Sequence, residues 1–407
     1  MNEVSREQGA GWPKLCKRVV LVDPRAFGLG GRETAVRNLA DALRRIGVVV
    51  EIVSVFPGED GGDYPSRIVF SNEQLYRRPV ARQSGRRVTG TITRLPRVVA
   101  KRVRIRSERR RFRRWIERLH DDTVVIFTDP LGRQVLRESG YRRPAMHSPI
   151  FIGQHHMAFD SLASLPGDAA GIVAREFSDA DGYVALSKED AASFTTLLGI
   201  ACICIPNSYG ESITVPGRIE SLERRAVALV RYSAEKRIDM MIRAFSSATA
   251  GGQHSNWRLD LYGEGEQRET LEVLIETLGV GERVTLNGRT ADVGKVLGGA
   301  DLLLLTSRTE GFPLSVIEAA QYGVPSLVTD SGHGVRALIK QLDGYLVSMS
   351  GGEVEYARAL ADVMADPEGL KERARAASLR VEAYAPEVVL GMWADFVGSI
   401  YARRATR

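Results

Sequence analysis

The chain has 407 residues, 44% of them hydrophobic and 26% charged, which is longer than one hydrophobic core usually organises and sets a globular protein of two domains as the expectation. No apolar run approaches the roughly 20 residues of a membrane-spanning helix, and the polar start at residues 1–11 lacks a signal-peptide core. Cys16, Cys202 and Cys204 are too few for a disulfide framework and poorly spaced for a metal, so a cytoplasmic protein with reduced thiols is expected. The net charge of +6 is local: residues 85–115 hold 13 Lys or Arg against one acid, Glu108, and elsewhere acids outnumber bases. One binding face or one solvated helix explains that better than a generally cationic protein.

Taken in order, residues 17–23 (KRVVLVD) read as a strand closed by Pro24. Residues 32–46 read as a helix with Ala35, Val36, Leu39 and Leu43 on one face, Gly47 stops it, and residues 48–55 resume as a strand. Further strands are expected at 124–127, 149–153 and 182–186. The first domain then covers residues 17–208, after a flexible start at 1–16, and ends near the Ile205-Pro206-Asn207 turn. Within it, residues 85–115 are a basic helical segment, and Phe112 and Trp115 with Ile116 and Leu119 just beyond form an apolar stripe among arginines.

A second alternation spans residues 209–385, with strands at 226–232, 258–262, 283–287, 301–306, 325–329 and 344–347. Helices are expected between them at 236–248, 266–278, 292–297 and 314–322 and near Val335. The tail 386–407 reads as a closing helix packing back on the first domain. The fold class is α/β: two Rossmann-like, doubly wound domains facing across a cleft, with ligands at the carboxyl ends of the strands.

Chemistry concentrates after the strand at 301–306. Glu310 sits in a loop, Gly311 and Pro313 follow, and a helix starts at Leu314, so the free amides between Gly311 and Ser315, of Gly311, Phe312, Leu314 and Ser315, surround a helix start that favours an anion, and the N–H that Pro313 lacks costs little there. Glu318, on the second turn, can converge on the same cleft as Glu310, where carboxylates can accept bonds from sugar hydroxyls; a dipole-favoured Glu plus a solvated one is the plainer reading. Arg231 and Lys236 flank the turn after the strand at 226–232, where two cations can neutralise a diphosphate, or be a surface charge pair. In the first domain Gly28, Gly30 and Gly31 make a GxGG turn, through which a ligand can approach the backbone. His155 and His156 follow the strand PIFIG.

These segments resemble a known family. The runs AEKRIDMMIRAF after LVRY, LYGEGEQRETLE, VTLNGRTADV and ADLLLLTSRTEGFPLSVIEAAQYGVPSLVTD are similar to the carboxy-terminal half of glycosyltransferase family four, and IGQHHMAFD and GYVALSKED followed by IPNS extend the likeness to the first half. The resemblance implies a retaining enzyme of the GT-B fold that moves a hexose from a nucleotide diphosphate sugar, a UDP-sugar in the first place. Arg231 and Lys236 would hold the distal phosphate, Glu310 the transferred sugar, and Glu318 the ribose. The backbone of Phe312, Pro313, Leu314 and Ser315 would bind the diphosphate, and the loop at Asn287 and Gly288 the base. His156 would face the donor sugar, with His155 the alternative contact. Val230 stands where the family has Gly.

No cofactor and no metal is expected. Asp179-Ala180-Asp181 spells the metal-nucleotide motif of a different transferase fold, but it stands before a strand at the domain's far end. A glycosidase also uses paired carboxylates but has no use for a phosphate-seating helix terminus. The expected partners are the nucleotide sugar and a glycan, anionic polymer or lipid-linked acceptor. An anionic membrane is a further one through residues 86–114, which would place the protein peripherally at the inner face; nucleic acid is not expected. The rivals are a nucleotide-sugar epimerase of the same architecture and a non-catalytic protein binding polyanions or membranes.

Overall fold

The computed structural model describes residues 11–406 except 27, 29, 59–65, 72–94, 145–146, 166, 212–223 and 291. The start at 1–10 and the part of the basic segment at 85–94 lie outside the described residues.

The first sheet has seven parallel strands: β1 (Arg18–Asp23), β2 (Val49–Ser54), β3 (Ser66–Ile68), β4 (Thr123–Phe127), β5 (Ile150–Gln154), β6 (Gly182–Ala185) and β7 (Cys202–Cys204), in the order β3-β2-β1-β4-β5-β6-β7. The second has six: β8 (Arg224–Leu229), β9 (Trp257–Tyr262), β10 (Val284–Gly288), β11 (Leu302–Leu305), β12 (Ser326–Thr329) and β13 (Tyr345–Val347), in the order β10-β9-β8-β11-β12-β13. Each strand order reverses direction once, between β1 and β4 and between β8 and β11, and a crevice opens at such a switch point. β1, β4, β5, β11 and β12 are near-continuous runs of buried Val, Ile, Leu and Phe, the pattern of parallel strands covered on both faces.

The helices in chain order are α1 (Gly31–Arg45), α2 (Leu95–Ile116), α3 (Pro130–Glu138), α4 (Ala169–Phe177), α5 (Lys188–Leu198), α6 (Ile238–Ala248), α7 (Arg268–Thr277), α8 (Val293–Gly298), α9 (Leu314–Gln321), α10 (His333–Leu342), α11 (Gly352–Ala365), α12 (Pro367–Arg380) and α13 (Pro386–Ala405). The helix read over 236–248 is two pieces, a short 3-10 turn Ala234–Lys236 and α6, because Arg237 between them takes a left-handed φ of 49°. The helix placed near Val335 runs ten residues.

α13 buries Val389, Leu390, Trp393, Phe396, Val397 and Ile400 in one cluster with Val19, Leu39 and Ile52 of the first domain. Gly182 permits this approach, since a Cβ there would overlap the Phe396 ring. Tyr401 Oη donates to the Asp121 carbonyl at 2.8 Å, and Arg404 pairs with Asp181 at 2.9 Å. Asp181 is also held by Arg143, and Asp179 by Arg133. Both carboxylates of the Asp-Ala-Asp motif are thus in ion pairs that tie the start of β6 to α3 and α13.

Candidate active site

The switch point of the second sheet places the ends of β8 and β11 side by side. After β8 the chain passes Arg231, Ser233 and the Ala234–Lys236 turn; after β11 come Thr306, Ser307 and the loop to α9. The two loops are bonded to each other. Thr306, fully buried, donates to the carbonyls of Lys236 and Arg237 at 2.8 and 2.9 Å, bifurcated from one hydroxyl, and the Arg308 amide donates to the Glu235 carbonyl at 2.8 Å. Lys236 Nζ then donates to Glu310 Oε1 at 2.6 Å, and Ser307 Oγ donates to the same oxygen at 2.7 Å. With side chains 18% and 15% exposed, Lys236 and Glu310 form a partly buried pair fixed from three directions. Arg231, five residues before Lys236 on the same loop, is exposed, and the charges of Arg231 and Lys236 both act on Glu235 of the turn between them. A guanidinium and an ammonium on the one loop after β8 are suited to an anion with spread charge.

Glycines let neighbouring backbone pack under the loop of Arg231. A Cβ at Gly263 would overlap the Val230 carbonyl, and one at Gly265 the Tyr232 carbonyl. Val230, buried at 9% exposure, donates its amide to the Tyr262 carbonyl at 3.0 Å. Asn287 is exposed at the end of β10, donating to Asp260 at 3.4 Å, and Gly288 has φ 72° with its carbonyl accepting from the Gly263 amide at 2.7 Å. Asn287 and Gly288 therefore border the same strand ends, two strands from β8.

The start of α9 lies at the domain interface. Pro313 is its N-cap, with φ −69° and no side-chain cap, so the first amides, of Leu314 and Ser315, point forward without intrahelical partners. The Phe312 ring is buried edge-on to Tyr384, and its carbonyl accepts from Asn207 Nδ2 of the first domain at 3.4 Å. Gly311 is packed on both sides: a Cβ would overlap the carbonyl of His156, while Gly311's own carbonyl lies against Gly334 of α10. Glu318 points from the second turn of α9; burial raises its pKa above the ordinary carboxylate value, and among the described residues no donor bonds to it.

Across the interface, the two histidines part company. His155 is buried edge-on to Phe194, ring centroids 5.1 Å apart, within the first domain's core. His156 puts its carbonyl on Gly311, and both of its ring nitrogens are enclosed with no protein partner, the condition of groups that bond a ligand. Burial lowers the pKa of His155 to about 4 and of His156 to about 3, with the charge of Arg32 lowering both further. Both rings are neutral at pH 7. The folded pKa values lie below the ordinary 6.5, so the unfolded chain takes up protons that the folded one refuses. Stability is therefore full above pH 6.5 and falls as pH drops from 6.5 towards about 4, by about 1.4 kcal/mol per pH unit for each such proton. Thermal melts of wild type and His155→Gln/His156→Gln across that window check this, and an equal acid slope in both would count against it.

Gly30 is the N-cap of α1 and Gly31 its first residue, with no atom within 4 Å of where a Cβ at Gly31 would stand. Beside them, at the first sheet's own switch point, is a charged cluster that the sequence reading missed. Asp23, fully buried at the end of β1, accepts from Thr128 Oγ1 at 2.5 Å and pairs with Arg32 of α1 at 2.9 Å, and Arg32 also pairs with Glu33 at 3.0 Å. An acid closing the first strand was the available signal. A second missed pair, His333 Nδ1 of α10 to Asp190 Oδ1 of α5 at 3.2 Å, ties the two domains together.

Residues 216–380 match the family model described as Glycosyl transferases group 1. The chain is 30% identical over 205 residues to an exopolysaccharide phosphotransferase of Streptomyces coelicolor, covering 49% of this chain and 20% of that one. It is 27% identical over 190 residues to a poly(glycerol-phosphate) alpha-glucosyltransferase of Bacillus subtilis, covering 46% and 28%. The chain spans a fifth to a half of the length of the curated relatives it matches. Among solved structures it is similar to S. aureus TarM in a complex with fondaparinux, alpha-GlcNAc-glycerol and UDP, with a TM-score of 0.72 at 15% identity over 94% of this chain and 99% of that one. The fold is therefore GT-B, and the second domain carries the group 1 glycosyltransferase pattern.

Proposed function

We propose that the chain is a retaining glycosyltransferase of family four that moves a hexose from a UDP-sugar to a hydroxyl of a glycan, glycopolymer or lipid-linked acceptor. The observation that carries this reading is the convergence of Arg231, the Lys236–Glu310 pair and the uncapped start of α9 on the switch point of the second sheet. In the reaction, the bond between sugar C1 and the diphosphate oxygen breaks and a bond from C1 to the acceptor oxygen forms on the same face. The acceptor proton passes to the departing diphosphate, so the products are UDP and the glycosylated acceptor.

Arg231, Lys236 and the amides of Leu314 and Ser315 stabilise the negative charge gathering on the leaving group. Glu310 orients Lys236 and meets the hydroxyls of the transferred sugar, and Glu318 takes the ribose. Gly311 and Phe312 shape the diphosphate seat, Asn287 and Gly288 lie against the base, and His156 offers its neutral ring to the sugar from across the cleft. Gly30 and Gly31 open the first domain's backbone to the ligand. That the solved neighbour's complex contains UDP and that the Bacillus relative glucosylates poly(glycerol phosphate), by its name, support the choice of donor and acceptor class. A cytoplasmic position at the inner face of the membrane belongs to the same reading.

A thermal-shift panel of UDP-, GDP- and ADP-sugars tests it. A UDP-sugar at a hundredfold excess over Kd is expected to stabilise the fold by about 2.7 kcal/mol while the others do not; a panel without any selective donor would overturn the reading. Because two side-chain cations serve the leaving group, EDTA is expected to leave transfer within about twofold of the untreated rate. Loss of activity restored by a divalent ion would show that a metal does this work instead.

A further inference from the structure

Three arginines of α2 are matched to acids: Arg104, itself exposed, to Glu108 at 3.4 Å, Arg109 to Glu138, and Arg113 to Glu117 at 3.5 Å. Phe112 and Ile116, between them, are buried in the first domain's core together with Leu119 just beyond the helix. The opposite side differs. Arg106, Arg110, Arg111 and Arg114 of α2, with Arg118 just beyond it, are exposed, and among the described residues none has a carboxylate partner. They line one open groove of about 940 Å³ with Arg67 of β3 and Trp115. Arg67 lies 4.8 Å over the Trp115 ring and is held by Glu51 at 3.3 Å. Leaving five guanidinium groups unmatched on one face costs self-repulsion that an anionic ligand relieves.

The positions 106, 110, 114 and 118 succeed one another every four residues, which sets the charges about 6 Å apart along the helix. We propose that this groove binds a linear polyanion, a sugar or polyol polymer carrying one phosphate or carboxylate per repeat, and holds it as an extended acceptor away from the donor site. The polymer's role as acceptor rests on the glycosyltransferase reading; its binding does not. A bilayer is disfavoured as the occupant, because a helix lying in a membrane turns its apolar face outward. On α2 the apolar stripe faces inward, and Val103 is the only large apolar side chain exposed among those described. The site is also concave, which suits a chain better than a sheet of headgroups.

The test uses the full chain with three probes: long-chain inorganic polyphosphate, inorganic orthophosphate, and phosphatidylglycerol vesicles. Polyphosphate is expected to bind with a log–log salt slope of about −3.5 for five contacts, falling to about −1.4 in Arg106→Ala/Arg110→Ala/Arg114→Ala. That variant is expected to lose at least tenfold in affinity while melting normally and hydrolysing UDP-sugar as wild type does. Unchanged polyphosphate affinity in the variant, orthophosphate binding as tightly as the polymer, or an arginine-dependent affinity for vesicles without one for polyphosphate would each overturn the proposal. If the polymer binds as expected and no nucleotide sugar does, the groove stands and the glycosyltransferase reading falls.

Discussion

Lys236→Ala is expected to lower sugar transfer about a thousandfold with little change in melting temperature. Lys236 donates to Glu310 at 2.6 Å, and that oxygen also accepts from Ser307 at 2.7 Å, so the ammonium is held in place before any ligand arrives. A charge prepositioned where negative charge develops does most of its work in the transition state, and removing one such donor costs about 10²–10³ in rate. The defect should therefore sit in kcat more than in KM. Glu310→Ala is expected to fail comparably for a second reason: it removes a sugar contact and releases the lysine.

Because one group orients the other, the double variant should be at most a few times worse than the weaker single variant. Steady-state kinetics of the three variants, with melts to exclude unfolding, check this. Turnover of Lys236→Ala within tenfold of wild type would refute the role, and strictly multiplicative losses would refute the coupling.

The longer strands are legible in the sequence for a physical reason. Parallel strands covered on both faces must be apolar runs, so β1, β4, β5, β11 and β12 stand out between amphipathic helices and turn residues. β3 and β7 have three residues each at or near a sheet edge, Ser66–Ile68 and Cys202–Cys204, too short to show a period. α11 and α12 were not read, although Asp366 caps α12 with Pro367 at its first position, a recognised start signal. The break at Arg237 carries no local signature, because its left-handed backbone is imposed by the Thr306 hydroxyl bonding the carbonyls of residues 236 and 237.

The site divides along the same line. Glu310, Gly311, Pro313 and Leu314 are consecutive or nearly so, and their roles follow from a loop before a helix. What no local pattern gives is how that loop meets the other domain: Asn207 on the Phe312 carbonyl, His333 on Asp190, or His156 rather than His155 at the contact with Gly311. Each depends on residues 100 or more apart in sequence. The basic segment shows the reverse case. Its charge is obvious in the sequence, but only the pairing of Arg104, Arg109 and Arg113 separates the arginines that brace the helix from those left facing the groove.

Gly311→Ala is expected to reduce transfer at least a hundredfold, although it adds one methyl group and removes no chemical function. The Cβ would overlap the His156 carbonyl oxygen, with the carbonyl carbon at 2.7 Å and Met157 Cα at 2.9 Å. All three are backbone atoms, so no side chain can rotate away. Retreat in the other direction is closed, because the Gly311 carbonyl already lies against Gly334. The remaining relaxation is to move the loop or part the domains, which stretches the 3.4 Å bond from Asn207 to the Phe312 carbonyl and shifts the start of α9 away from His156. A displacement of about 1 Å between reacting groups costs on the order of a hundredfold. The second domain's own cations and helix amides remain, so UDP affinity should fall much less than transfer does. Gly391→Ala on α13, where no atom lies within 4 Å of the new methyl, serves as the control and should transfer normally. A Gly311→Ala enzyme within twofold of wild type would mean that the two domains do not act at the separation seen here, and His156 would then have no place beside the donor sugar.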